Sequence, residues 1–205
     1  MRTGGGHYVA LEGLEGAGKS TIAQRLVAWL EQGGREVVHV REPGGTALGE
    51  RIREMLLDRD RPLSPWSEAM LFAAARAELA VRLVAPALAE GRWVVSDRSV
   101  YSSLAYQGGG RRLGVPLVRS INQAGLDDVW PELVVLLRLD PQDGLARQQV
   151  ADPFGAEGPA FWQRVAETFD ELAAAEPDRL VVVEAARPLE EVVTDVLKVV
   201  SWRWR

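Results

Sequence analysis

The feature that most constrains this chain is a glycine-rich stretch with one lysine, GLEGAGKS, from Gly13 to Ser20. It follows a short apolar run, residues 7–12, and a helical pattern begins at Lys19. Glycines in such a turn let backbone N–H groups point inward around an anion, and the helix N-terminus adds a positive dipole end. The pattern therefore predicts a phosphate-binding loop between a buried strand and a helix.

The lysine of this loop is one of only two in the chain, Lys19 and Lys198, among 24 basic residues. Where lysine is so scarce, a lysine inside a motif indicates a specific use. Lys19 is expected to reach the β- and γ-phosphates of a nucleoside triphosphate. The hydroxyl of Ser20 is expected to ligate the accompanying Mg²⁺.

The composition excludes several classes of function. There is no cysteine and there are only two histidines, so any metal would be a hard cation held by oxygen atoms. The net charge of −5 argues against a nucleic-acid partner. The apolar runs are far shorter than the roughly 20 residues of a membrane span, and no signal-peptide pattern is present, so we expect no membrane partner and a cytoplasmic location.

Strands and helices alternate along the chain, which predicts a three-layer α/β sandwich with a five-stranded parallel sheet. The longest predicted helix runs from Ser64 to Glu90 with a bend near Pro86. No linker interrupts the pattern, so residues 1–205 are expected to form one domain, with a short lid segment at about 147–160. The predicted strands are residues 7–12, 36–41, 92–97, 133–139 and 180–184.

Two further polar clusters lie at strand ends on the edge that should face a ligand. Asp97 and Arg98 end the third strand, where Asp97 could hold Mg²⁺ through water and Arg98 could bind a phosphate. The second strand ends in the loop from Arg41 to Thr46. A local Asp–Arg ion pair and a loop with a surface ion pair are the simpler interpretations of these two clusters.

Taken together, the motifs resemble those of the thymidylate kinase family, which makes dTDP from dTMP and ATP on a P-loop kinase fold. The resemblance is collinear over nearly the whole chain. It is carried by four stretches, residues 12–20, 41–46, 72–76, and Asp97-Arg98 followed by residues 102–108.

The resemblance implies a role for each of these residues. Phe72 would stack on thymine, Arg76 would hydrogen-bond the ring edge, and Ser103 would lie near the base. Gln107 would be a further substrate-binding residue. Tyr106 would lie near the sugar and disfavour a 2′-hydroxyl. Arg98 would bind the dTMP phosphate, with Arg41 and Arg53 as weaker candidates for the same contact, and Glu15 would lie near the sugar 3′-hydroxyl.

The resemblance also implies the contacts with the donor nucleotide. Ser20 and Asp97 would bind Mg²⁺. The residues implied to bind ATP are Gly13, Leu14, Glu15, Gly16, Ala17, Gly18, Lys19, Ser20 and Thr21.

The chain also departs from the family pattern. Pro153 stands where a lid arginine is expected after an aspartate, and only Arg147 and Arg164 flank the loop. Either Arg147 stabilises the transferred phosphoryl group from the end of its helix, or the enzyme is slow. Ser99 replaces the aromatic residue or histidine that often follows Asp-Arg. The family is usually homodimeric, and a homodimer is expected here.

Two alternatives to dTMP phosphorylation remain open from the sequence. One is a P-loop kinase for another nucleoside monophosphate or small phosphate acceptor, and the other is a nucleotide-binding regulatory protein with weak turnover. A guanine-specific GTPase is excluded, because the only asparagine, Asn122, is followed by Gln-Ala-Gly rather than by the Lys-x-Asp of the guanine-reading motif.

Overall fold

The computed structural model describes residues 6–58, 60–147 and 157–204. In these ranges five strands form one parallel sheet in the order β2-β3-β1-β4-β5. The predicted three-layer α/β fold with a five-stranded parallel sheet is confirmed. The strands are β1 (Tyr8–Gly13), β2 (Val37–Arg41), β3 (Trp93–Asp97), β4 (Leu133–Arg138) and β5 (Leu180–Glu184).

Helices cover both faces of the sheet. Along the central strand β1, Val9 and Leu11 pack in one core cluster, and Ala10 packs in the cluster on the opposite face. This alternation explains why β1 is buried throughout. The helices are α1 (Lys19–Gln32), α2 (Ala47–Leu57), α3 (Pro65–Leu79), α4 (Ala85–Ala89), α5 (Val100–Ser103), α6 (Val115–Leu126), α7 (Pro141–Arg147), α8 (Pro159–Ala175) and α9 (Leu189–Arg203).

Helix starts follow the sequence signals. The side chain of Thr46 accepts the N–H of Gly49 and caps α2. Ser64 caps α3, with Pro65 at the first helical position, as the sequence predicts. None of the helices in the described ranges combines the length and apolarity that crossing a membrane requires.

The long helix predicted from Ser64 to Glu90 is divided in the structure. A π-helical segment, π1 (Ala80–Val84), separates α3 from α4 immediately before Pro86. Proline has no N–H to donate to the preceding turn, and its ring crowds the carbonyl there, so a wider turn ahead of it relieves the clash. The predicted distortion is therefore present as a π-helical turn.

A second π-helical segment, π2 (Leu104–Gly110), continues directly from α5 and was not predicted by sequence patterning. Three consecutive glycines, residues 108–110, interrupt any helical pattern in this stretch. They also allow π2 to approach α8 closely, because a Cβ on Gly109 would overlap Thr168 Oγ1 and lie 2.8 Å from its Cβ. Of the expected lid, residues 148–156, including Pro153, lie outside the described residues.

We expect Gly109→Ala to lower the free energy of unfolding by about 2 kcal/mol, because the added methyl group overpacks the contact between π2 and α8. Gly158→Ala is the matched control, since nothing lies within 4 Å of a Cβ there. Urea unfolding of both variants is the measurement. Equal stability of the two variants would contradict the close packing of π2 on α8.

Candidate active site

The candidate site lies at the carboxyl ends of the three neighbouring strands β2, β3 and β1. In the sheet register, Asp97 at the end of β3 is level with Arg41 of β2 and Leu11 of β1. The glycine-rich loop leaves β1 two residues after Leu11. The parallel sheet thus brings the predicted clusters to one edge.

The glycine-rich loop has the backbone that its sequence predicts. Gly13, Gly16 and Gly18 have φ of 139°, 77° and 86°, in the region that glycine adopts most readily. At Gly13 a side chain would also collide with the sheet, because a Cβ would lie 2.5 Å from the carbonyl oxygen of Leu137. These glycines shape the turn that directs the loop into α1.

The lysine of the loop is buried against the loop's own backbone. Lys19 Nζ donates to the carbonyl oxygens of Gly13 at 3.1 Å and Leu14 at 2.7 Å. Burial, reinforced by the charge of Arg98, lowers the pKa of Lys19 to about 8, although the charge of Glu15 partly opposes the shift. The structure therefore holds a partly dehydrated cation at the start of α1.

Two oxygen ligands suited to Mg²⁺ are adjacent beside this cation. Ser20 Oγ donates to Asp97 Oδ2. A hydroxyl and a carboxylate are hard ligands, so this pair fits a magnesium ion that receives its other ligands from phosphates and water. Within the described residues no group of three or more histidine, cysteine, aspartate or glutamate side chains forms a separate metal site.

Arg98 connects the loop with the rest of the site. Its guanidinium donates to Glu15 Oε1 at 2.5 Å, to the carbonyl of Gly13 at 3.3 Å and to Ser102 Oγ at 3.1 Å. It also lies over the ring of Tyr106, 5.2 Å from the ring centre. The hydroxyl of Tyr106 donates to the other carboxylate oxygen of Glu15 at 2.6 Å. Both oxygens of Glu15 are thereby fixed.

A buried carboxylate that sequence reasoning assigned no role supports this arrangement. Glu12, in β1, is fully buried, and burial raises its pKa. Its carboxylate accepts four hydrogen bonds of 2.6–3.0 Å, from the backbone N–H and the hydroxyl of both Ser99 and Ser102. The sequence did contain a signal for these contacts, because Glu12 is a charged residue inside a predicted buried strand and such a residue requires hydrogen-bond partners. Ser99, which departs from the family pattern, is one of those partners.

A concave cleft opens next to Glu15 and Arg98. One of its wall atoms, Ser103 Oγ, is buried and has no hydrogen-bond partner within the described residues. The cleft is lined by Glu15, Glu42, Pro43, Arg53, Leu56, Leu57, Phe72, Arg76, Arg98, Ser102, Ser103, Tyr106 and Gln107.

A buried ion pair fixes one wall of the cleft. Arg76, only 4% exposed, donates through Nε to Glu42 Oε2 at 2.5 Å. Its other two nitrogens donate to Asn122 Oδ1 and to the carbonyl of Ser99 at 3.2 Å. Sequence reasoning missed Glu42 and Asn122 as partners of Arg76, because they lie 34 and 46 residues away along the chain.

The structure brings most of the predicted acceptor residues together in this cleft. Arg41 is an exception, because its guanidinium pairs with Glu50 at 3.0 Å and does not line the cleft. Arg147 also lies elsewhere, at the end of α7, where Nη1 donates to the carbonyl of Ala185 at 3.1 Å. The predicted residues that line the cleft are Glu15, Arg53, Phe72, Arg76, Arg98, Ser103, Tyr106 and Gln107.

The lowered pKa of Lys19 predicts a particular dependence of stability on pH. The folded value is about 8 and the ordinary value is 10.5, so between these pH values the unfolded chain binds more protons than the folded chain. The unfolding free energy contributed by Lys19 therefore rises with pH across this window. Between pH 7 and pH 10, the free energy of unfolding of the nucleotide-free wild type, measured in urea, should rise by about 2 kcal/mol relative to that of Lys19→Met.

Lys198→Met is the matched control, because it removes the other lysine of the chain, whose side chain is 71% exposed. The free-energy difference between wild type and this control should stay constant between the same two pH values. A difference between wild type and Lys19→Met that also stays constant would contradict the burial of a charged Lys19.

Comparison with known proteins agrees with this geometry. The sequence profile described as "Thymidylate kinase" matches residues 11–196. A thymidylate kinase of Deinococcus radiodurans is 44% identical over 201 residues, covering 97% of this chain and 98% of that protein. Thymidylate kinases of Synechococcus sp. (strain JA-3-3Ab) and Shewanella loihica are 44% and 41% identical, with at least 96% of each chain covered. The chain therefore belongs to the thymidylate kinase family.

Proposed function

We propose that this enzyme transfers the γ-phosphoryl group of ATP to dTMP, giving ADP and dTDP. The observation that carries the proposal is the position of Glu15 and Arg98. Glu15 belongs to the glycine-rich loop, and Arg98 donates hydrogen bonds to this loop at Gly13 and Glu15. Both residues also line the cleft that contains Phe72 and Arg76. The ion pair between Arg98 and Glu15 thus lies between a loop suited to phosphates and a cleft suited to an aromatic ring.

On the acceptor side, the cleft offers groups that match a thymine nucleotide. Phe72 supplies a ring face for stacking, and Arg76 supplies N–H groups for the ring edge. The hydroxyl of Ser103 would gain the hydrogen bond it lacks within the described residues. Tyr106 and Gln107 would border the sugar and the base.

The phosphate of dTMP would meet two arginines. Arg98 and Arg53 both line the cleft, and Arg53 is oriented by donating to the carbonyl of Pro43 at 3.0 Å. A planar guanidinium matches the oxygens of a phosphate well. Arg41 would contribute to this phosphate site only after leaving Glu50, so it is the weakest candidate of the three.

On the donor side, residues 13–21 would hold the phosphates of ATP with backbone N–H groups and the ammonium of Lys19. Ser20 and Asp97 would hold the Mg²⁺ that accompanies the nucleotide. When bound, this ion neutralises charge on the phosphate oxygens.

In the reaction, an oxygen of the dTMP phosphate forms a bond to the γ-phosphorus while the bond from that phosphorus to ADP breaks. The attacking oxygen is already ionised at neutral pH, since the second pKa of a phosphate monoester is about 6. No general base is needed, and the protein contributes orientation and positive charge through Lys19 and Arg98. Glu15 would bind near the sugar 3′-hydroxyl.

Arg147 is proposed as the residue that stabilises the transferred phosphoryl group. It lies beside the glycine-rich loop, because a Cβ on Gly16 would be 3.2 Å from its Cβ. To act there, its guanidinium would have to leave the carbonyl of Ala185. Residues 1–205 would then form a single P-loop kinase domain whose lid is the stretch at about 147–160.

A homodimer is proposed from an exposed apolar face on two helices that pack together, α2 and α3. Several large apolar side chains on these two helices are exposed to solvent. A second copy of the chain would cover them. Sedimentation equilibrium should give twice the chain mass of 22.5 kDa, whereas a single chain at micromolar concentration would contradict the dimer. The side chains are Leu48, Met55, Trp66 and Met70.

The direct test is ADP release with ATP, Mg²⁺ and, one at a time, dTMP, dUMP, dCMP, dGMP, UMP and AMP. We expect dTMP to be the preferred acceptor. Phe72→Ala should raise KM for dTMP by about tenfold or more while leaving KM for ATP within about twofold, because only the acceptor base stacks on this ring. Val81→Ala, at an exposed position on π1, is the matched control.

Other outcomes separate the alternatives. Preferred turnover of a different acceptor would contradict the assignment of dTMP, and dTMP binding without turnover would indicate a nucleotide-binding protein. In the same assay, Arg147→Ala should lower kcat by more than about tenfold. A smaller loss would show that Arg147 does not stabilise the phosphoryl group.

A further inference from the structure

A hydrogen-bonded chain of side chains lies behind the wall of the cleft. Gln107 Nε2 donates to Glu68 Oε1 at 2.8 Å. Arg111 donates to both oxygens of the same carboxylate, at 3.2 Å from Nε and 3.0 Å from Nη2. Gln107 and Glu68 are buried, and Gln107 also lines the cleft. The chain joins α3, which carries Glu68, to π2.

This contact determines which way the amide of Gln107 points. An ionised carboxylate only accepts hydrogen bonds, so it pairs with the NH₂ group of an amide and excludes the carbonyl oxygen from the same position. Arg111 already donates to both oxygens of this carboxylate, so Gln107 meets a group whose two oxygens act as acceptors. Gln107 therefore turns its NH₂ group to Glu68, and its carbonyl oxygen is the polar atom left to face a ligand.

Arg111 is itself held in place from a third element. It forms an ion pair with Glu157, just before α8, and its guanidinium lies 5.1 Å from the centre of the Phe161 ring in α8. The cation beside Glu68 is therefore fixed by contacts on both sides. A planar guanidinium held in this way leaves Glu68 little freedom to rotate.

We propose that Glu68, supported by Arg111, is a positioning residue that fixes the polarity of the Gln107 amide and thereby makes the pocket select pyrimidines with a ring N–H. The proposal rests on the proposed function, because it assumes that the base of the acceptor binds in this cleft. Thymine carries a hydrogen on N3 and can donate to the amide oxygen. Cytosine has a lone pair at N3, which would face that oxygen without a hydrogen bond.

Glu68→Gln tests the proposal, because a neutral amide at position 68 can either donate or accept. The amide of Gln107 could then turn its NH₂ group to the ligand. We expect the ratio of kcat/KM for dTMP to kcat/KM for dCMP to fall by about tenfold or more. The change should appear mainly in KM, because the phosphate-binding residues are untouched.

Glu78→Gln is the matched control. It makes the same change on the same helix, at a residue that pairs with Arg82 on the surface, and it should leave the ratio unchanged. Glu68→Asp keeps a group that only accepts, so the ratio should stay within about threefold of wild type even if the melting temperature falls. A merely structural role of Glu68 would instead lower turnover of both acceptors together in both variants.

A folded Glu68→Gln variant with an unchanged dTMP-to-dCMP ratio would overturn the proposal. Gln107→Met removes the amide and should lower the same ratio, so an unchanged ratio there overturns the proposal even if Glu68→Gln does not fold. Failure of the proposed function is distinguishable, because wild type itself would then not prefer dTMP.

Discussion

The site depends on the burial of one carboxylate, Glu12, in the central strand. A charge in a dry interior is very costly unless hydrogen bonds replace its hydration. Here four donors do so, and all four belong to Ser99 and Ser102, just after β3. Burial of Glu12 thus ties Ser99 and helix α5, which follow β3, to β1. Arg98 lies between β3 and Ser99 with φ of 73°, a conformation that a non-glycine residue adopts only when its surroundings impose it.

The position of Arg98 joins the two halves of the site. Its guanidinium contacts the glycine-rich loop at Gly13 and Glu15, while its side chain also borders the acceptor cleft. Under the proposed function, this one arginine would lie where the acceptor phosphate and the donor phosphates meet. A second buried pair, Arg76 with Glu42, fixes the opposite wall through partners on other elements. Fixed charges of this kind need little reorganisation during phosphoryl transfer.

The sequence predicted well what local patterns encode. All five strands, the glycine-rich loop and the start of α3 at Ser64 follow from short-range rules, and each is present in the structure. The positions of the strand ends also predicted that the glycine-rich loop, Asp97-Arg98 and residues 41–46 lie at the same edge of the sheet. Arg41 shows the limit of that reasoning, since it ends the correct strand but pairs with Glu50 outside the cleft.

What could not be predicted depends on contacts between distant residues. The three glycines 108–110 carry no side-chain pattern from which the π-helical backbone of π2 could be predicted. This backbone conformation places Tyr106 and Gln107 in the lining of the cleft. The partners of Glu12 and Glu68 lie between 39 and 90 residues away, so no local pattern announces them. For both carboxylates, the useful signal was a charge in a stretch that is otherwise apolar.

The most direct test of this account is calorimetric titration of wild type and Arg98→Met with dTMP and with thymidine, which lacks the phosphate. If Arg98 binds the acceptor phosphate, the variant should bind dTMP about tenfold or more weakly and thymidine within about threefold of wild type. Equal losses for the two ligands would contradict the account, because Arg98 would then support the cleft without binding the phosphate.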